Sequence, residues 1–112
     1  MTDELQQRMY DAKSACQAIL SFTEHVSLDA YTGDLLLRSA VERQFEILGE
    51  ALNRADALDD AIVEQLPDLP RIVGMRNRII HGYDSVDDEI IWDAIQNYVP
   101  KLLQDLTSMT SR

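Results

Sequence analysis

From Leu5 onward the buried-type positions return at alternating steps of four and three: Leu5, Met9, Ala12, Cys16, Ile19, Thr23 and Val26. That spacing holds a stripe on one side of a 3.6-residue repeat, and a half-buried strand, which alternates every two residues, cannot produce it. With Asp3 as the expected N-cap, it predicts a helix of several turns whose other face carries Lys13, Gln17 and Glu24. No stretch of useful length shows strand alternation. With only 4 glycines and 3 prolines in 112 residues, there are too few turn residues for a β-sandwich.

The same reasoning places the remaining elements. Ser27 to Asp34 reads as a connection with one helical turn at Leu28 to Tyr31, and a second helix is expected from about Asp34 to Arg54. On it, Leu37, Val41, Leu48 and Leu52 form one row and Leu36, Ala40, Ile47 and Ala51 another, a broad face suited to two neighbours. Asp56 to Leu66 fits a short helix, capped by Asp56 or Asp59 and ended by Leu66-Pro67-Asp68-Leu69-Pro70. A further helix runs from Pro70 to about His81 with Ile72, Met75 and Ile79 on one side and Gly82 placed to terminate it. The last begins after Asp84-Ser85-Val86-Asp87-Asp88, turns Ile91, Ile95, Tyr98, Leu102 and Leu106 inward, and should kink or break at Pro100. The expected architecture is all-α: one domain over residues 1–112, an antiparallel up-and-down bundle of four main helices with a short extra one.

Composition narrows the functional classes. The net charge of −10 argues against broad, non-specific nucleic-acid binding, which draws its affinity from Lys and Arg on phosphates. Cys16 is alone and cannot form an internal disulfide; it lies on the apolar stripe and reads as core. The first residues lack a signal-peptide pattern, and no stretch approaches the ~20 apolar residues of a membrane span. A soluble cytoplasmic protein without membrane association is expected. Two distant histidines and a core cysteine offer no ligand spacing, so neither a metal nor another cofactor is expected.

Against that scaffold, Gly74-Met75-Arg76-Asn77-Arg78-Ile79-Ile80-His81-Gly82-Tyr83 is out of place. Positions that merely pack are Leu, Ile or Ala, yet here two arginines, an amide and an imidazole fall within one or two turns. Arg71, Arg76 and Arg78 are three of the ten basic residues and suggest a cationic pocket on an acidic body, suited to one phosphate and not to an extended groove. On an ideal helix His81 lies one turn from Asn77 and Arg78, whereas Arg76 is five residues back and about 140° around the axis. Either the helix ends or unwinds before His81, or a second copy of the chain supplies one of the two side chains. Both options point to a helix end, and the second to a symmetric interface. Arg43 also falls within an apolar row; an ion pair with Glu46 or Glu50 is the simpler account, membership of the site the sharper one. His25 and Arg78 read as surface residues, and Trp92 and Tyr98 as packing or dimer contacts.

Arg76, four residues, His81, one residue, Tyr83 resembles the signature of the HepT-like branch of the HEPN superfamily, small all-helical proteins generally found as toxins paired with a minimal nucleotidyltransferase antitoxin. Val41-Glu42-Arg43-Gln44-Phe45-Glu46-Ile47-Leu48-Gly49-Glu50-Ala51 is similar to the family's second-helix segment, Pro67-Asp68-Leu69-Pro70 to its proline turn, and Val86-Asp87-Asp88-Glu89-Ile90-Ile91-Trp92 to its final-helix entry. One departure is visible: many relatives carry a Trp and further polar residues where only Arg71-Ile72-Val73 separates Pro70 from Gly74. The resemblance implies a metal-independent endoribonuclease acting on tRNA or mRNA, homodimeric, with paired motifs facing each other across a cleft. Arg76 and His81 are then the catalytic residues, Asn77 and Arg43 supporting ones. Asn77 would orient the imidazole or hold a phosphate oxygen. Tyr83 would be the acceptor of nucleotidyl groups from the partner enzyme. The other reading is a non-catalytic nucleotide-binding or scaffold subunit that partners a minimal nucleotidyltransferase.

Overall fold

The computed structural model describes residues 1–81 and 87–110, and among these the chain is helical with no strand. The order is α1 (Asp3–Phe22), α2 (Leu28–Thr32), α3 (Leu35–Leu58), α4 (Ile62–Gln65), α5 (Leu69–His81), α6 (Asp88–Asn97) and α7 (Val99–Thr110). The expected all-α fold is what forms. Two short helices accompany the main ones: α2 is the helical turn expected at Leu28 to Tyr31, and α4 falls within the short helix expected from Asp56 to Leu66.

Side-chain caps start the helices. The Thr2 hydroxyl accepts from the Leu5 N–H at 3.2 Å, so the cap of α1 lies one residue before Asp3. Asp3 and Glu4 fall instead in the first turn, where their charge complements the helix dipole. Asp34 caps α3 through Leu37 N–H at 3.1 Å, and Asp87 caps α6 through Glu89 N–H at 2.9 Å. After α1 the chain turns through His25, an exposed residue with a left-handed φ of 63°.

The stripe read from α1 is the core. Leu5, Met9, Ala12, Cys16, Ile19 and Thr23 are all buried, and only Val26, beyond the helix end, is partly exposed. α1 and α3 pack along each other at the centre; α5 lies on α3, α7 lies on α1, and α6 folds onto α7. Across the α1–α7 contact the Tyr10 hydroxyl donates to the Thr110 carbonyl at 3.3 Å. Phe45, Leu48 and Leu52 of α3 are fully buried between these neighbours. At about 25 cal/mol per Å² of apolar surface removed from water, each such side chain contributes roughly 1.5–3 kcal/mol.

The end of α3 differs from the expectation. α3 continues four residues past Arg54, because Ala55, Ala57 and Leu58 favour helix and Ala55 is buried; Asp56 is therefore helical and caps nothing. Asp59 instead accepts from the Ala61 N–H at 2.9 Å in the turn before α4. The final helix does break, with Tyr98 between α6 and α7. Pro100 has no N–H to continue the ladder, and its fixed φ suits the first turn of α7. The second apolar row of α3 is covered only toward its C-terminal end: Ala51 is buried, Ala40 and Ile47 are half-buried, and Leu36 is 81% exposed because no other described element lies over it.

Candidate active site

α5 packs closely on α3 because Gly49 has no side chain. An ideal Cβ at Gly49 would fall 2.3 Å from Arg76 Cβ and 2.6 Å from Arg76 Cγ, so the stem of Arg76 occupies the space a larger residue would need. Emerging from that contact, the guanidinium is held at both ends. One terminal nitrogen donates to Glu50 Oε2 in a close ion pair and the other to Asn77 Oδ1 at 2.8 Å. The Arg76 side chain is 23% exposed, and its Nε–H is buried without a hydrogen-bond partner.

Glu50 has a second cation: Arg54, one turn on, donates to Glu50 Oε1 at 2.7 Å. Hydrogen bonding from Arg54 is the main reason the Glu50 carboxyl sits below its ordinary range. Arg76 acts in the same direction, and partial desolvation opposes both.

Arg76 opens into a cleft of about 550 Å³ between α1, α3 and α5. α1 contributes Arg8, Asp11 and Ser14; α3 contributes Arg43, Glu46, Ile47 and Glu50; Ile80 closes the α5 side. Its three arginines each have a carboxylate beside them: Arg8–Asp11 at 3.5 Å, Arg43–Glu46 at 3.1 Å, and Arg76–Glu50. The expected cationic pocket is therefore a charge-balanced one. Arg71 is not part of it, because its guanidinium stacks 4.4 Å from the Tyr98 ring centroid and donates to the Tyr98 hydroxyl. Arg78 is exposed on another side of α5.

A family model of HepT-like ribonucleases matches residues 12–109, which include the α3 side of this cleft and the helix that carries Arg76, while Arg8 and Asp11 of the α1 wall precede the match. The chain belongs to the HepT-like ribonuclease family. By that membership it is an enzyme of the endoribonuclease class. Among its relatives, a Methanocaldococcus jannaschii protein provisionally named an RNase is 28% identical over 88% of this chain and 89% of its own. A second such protein, from Caldanaerobacter subterraneus, is 32% identical over 78% of this chain and 77% of its own. A Thermococcus cleftensis protein provisionally named ribonuclease HepT is 28% identical over 82% and 83%. No solved structure matches the chain significantly.

In this HepT-like chain α5 runs without a break to His81. Unwinding before His81 is therefore not how Arg76 and His81 come together. One chain presents them on different sides of a continuous helix, and the exposed His81 does not line the cleft that Arg76 enters. Asn77 meets Arg76, where an imidazole or phosphate had been expected. Arg43 has the ion pair that was the simpler expectation, yet it stands on the wall of the Arg76 cleft with its side chain 68% exposed. Tyr83 lies outside the described residues. No group of three or more His, Cys, Asp or Glu poised to hold a metal ion occurs among the described residues. No described helix is long and apolar enough to cross a membrane.

Sequence reasoning missed Gly49, Glu50, Arg54 and Arg8 as site residues. An isolated glycine in a strong helical pattern is itself a signal of close approach, and Glu50–Arg54 is a visible i,i+4 pair. Nothing in the sequence showed that these faces meet Arg76.

Proposed function

We propose that the chain is a metal-independent endoribonuclease toxin whose active site is completed by a second copy, with Arg76 from one protomer and His81 from the other. The observation that carries this is the pairing of a braced Arg76 in an open cleft with a His81 that the same helix directs elsewhere. In RNA cleavage the 2′-oxygen attacks the neighbouring phosphorus, the O2′–P bond forms and the P–O5′ bond breaks. A histidine imidazole exchanges protons near neutral pH and takes the 2′-hydroxyl proton; the leaving 5′-oxygen takes one from solvent or the second imidazole. Arg76, fixed by Glu50 and Asn77 before substrate arrives, faces the charge that grows on the non-bridging oxygens, an interaction of the kind worth about 10²–10³ in rate. A minimal nucleotidyltransferase is the proposed antitoxin. Transfer of AMP to Tyr83, two residues beyond His81, sets bulk and negative charge beside the catalytic pair.

Mixing tests the composite site directly. Arg76→Ala and His81→Ala proteins are each expected to be inactive on tRNA or mRNA in EDTA. Exchanged into mixed dimers they regain about a quarter of wild-type activity, since half the dimers are mixed and each holds one intact site. Mixtures that stay inactive, with light scattering at the mass of one chain, refute it. Mass spectrometry after incubation with the partner and ATP checks Tyr83; an unmodified Tyr83 refutes the proposed switch. The distance of His81 from the cleft in one chain also favours a second reading, a non-catalytic nucleotide-binding subunit, and wild-type dimers that bind nucleotide without ever cutting RNA would establish it.

A further inference from the structure

The cleft holds an arginine that the proposed chemistry does not use. Arg8, on α1, faces the same space as Arg76 from the opposite wall. Its side chain is only 26% exposed, its Nε–H is buried without a hydrogen-bond partner, and its ion pair with Asp11 is long at 3.5 Å. Arg76 shares the orphaned Nε–H, so two guanidinium groups beside one cavity each keep a buried donor unsatisfied. A buried N–H left unpaired is costly, and an Arg8 guanidinium that turns toward a ligand oxygen is relieved of that cost.

The carboxylates beside these arginines do not depend on them alone. Asp11 accepts from the Gln7 side-chain amide at 2.9 Å, and Glu50 accepts from Arg54 at 2.7 Å. Arg8 can therefore turn toward an incoming anion while Asp11 keeps a donor on its own helix, and Arg76 stays braced by Glu50 and Asn77. Arg43 differs: it is exposed and closely paired with Glu46, so a phosphate gains little from it.

We propose that Arg8 is a backbone-phosphate binding residue, forming with Arg76 a two-phosphate cradle in which Arg76 faces the scissile phosphate and Arg8 a neighbouring phosphate of single-stranded RNA. This rests on the ribonuclease reading of the cleft and adds its substrate-binding wall. Arg8 acts in binding and not in bond breaking, so its loss acts on KM and leaves kcat.

The test measures anisotropy of a labelled single-stranded RNA across a KCl series, using the full chain with His81→Ala so that the RNA stays intact. Adding Arg8→Gln is expected to weaken binding about tenfold, the worth of one charged hydrogen bond. It should also reduce the slope of log K against log salt by about 0.7, the increment for one phosphate contact on a single strand. Arg8→Lys keeps the charge and should restore the slope, with affinity between the two. Lys13→Gln, a charge loss outside the cleft, should change neither. In the His81-containing protein Arg8→Gln is expected to raise KM about tenfold at constant kcat, with an unchanged thermal midpoint. An unaltered slope and KM in Arg8→Gln overturn this proposal and leave the ribonuclease reading standing. A kcat loss, or a fall in midpoint that Arg8→Lys shares, overturns it in favour of a structural role. A wild-type chain that neither binds nor cuts RNA overturns both.

Discussion

Gly49 and Gly74 are both helix-interior glycines, and the same substitution should act on them with opposite sign. Replacing a helical glycine by alanine gains up to about 1 kcal/mol of backbone preference. At Gly74 a new Cβ meets nothing within 4 Å, so Gly74→Ala should realise most of that gain. At Gly49 the new Cβ falls 2.3 Å from Arg76 Cβ, more than 1 Å short of the 3.4 Å at which contact becomes ordinary. The opposing atom is not the tip of a flexible chain but is bonded directly to the backbone of α5, so the helices must part. Overpacking of this kind costs about 1–3 kcal/mol, and the rigidity of the contact puts it near the top of the range. Net of the helix preference, Gly49→Ala should lose about 2 kcal/mol. For a domain of this size that is a midpoint lowered by roughly 8 °C, against a rise of roughly 4 °C for Gly74→Ala. Urea unfolding at pH 7 measures both, with an unchanged m value showing that only stability has moved. Separation of α3 and α5 also carries Arg76 off its position, and a displacement near 1 Å is worth about 10²-fold in rate, so Gly49→Ala should cut RNA slowly while Gly74→Ala keeps full activity. A Gly49→Ala protein as stable and as active as wild type would refute the close-approach argument.

Three further outcomes follow from the other side of the molecule and from the core. The Tyr31 ring is fully buried, tilted 38° against Trp92 at 5.4 Å, and its hydroxyl has no hydrogen-bond partner; burial pushes its ionisation far up. Tyr31→Phe removes that unpaired group and should stabilise by about 1 kcal/mol in urea unfolding, whereas a loss of stability would show that the hydroxyl has a partner. Glu42 is raised above the ordinary carboxylate range by desolvation first and by Asp88 second, with Arg38 opposing. A carboxyl whose folded-state value is raised weakens the fold above that value and does so no longer below its unfolded one. Glu42→Gln should therefore raise the midpoint at pH 7 and leave it unchanged below about pH 4; equal midpoints at both would be contrary to this. Burial pushes the Cys16 thiol up to about 12, so at pH 8 a thiol reagent should label it only as fast as the chain unfolds, and rapid labelling of the folded protein would contradict its place in the core.

The scaffold was legible because helices advertise themselves through period. The stripe from Leu5 to Thr23, the pair Leu48 and Leu52, and the set Ile72 and Met75 were all read correctly as buried. The errors lay where context overrides pattern. α3 ran through Asp56 because Ala55 found a place in the core, and Leu36 stayed outside because no other described helix reaches that end. At the site the individual residues were visible and their pairing was not. Asn77 next to Arg76 was available from adjacency, but the meeting of Arg76 with Gly49 and Glu50 is a fact about α3 against α5, separated by 26 residues in the chain. Arg8 was invisible as a site residue for the same reason.

In the proposed cradle, that pairing is also how a protein of net charge −10 would address a polyanion. Long-range attraction is absent, so affinity has to arise within contact distance, where each arginine's partner acid can be left with another donor. An anion that fills the cleft exchanges one Arg–carboxylate contact for one Arg–phosphate contact and relieves an orphaned N–H. An anion that touches the surface elsewhere meets a chain of net charge −10. Balanced charge inside an acidic exterior therefore trades rate of encounter for selectivity of place. The consequence is a salt dependence set by one or two phosphates and not by a tract, and a steep dependence matching six or more contacts would show that RNA is held along a surface other than this cleft.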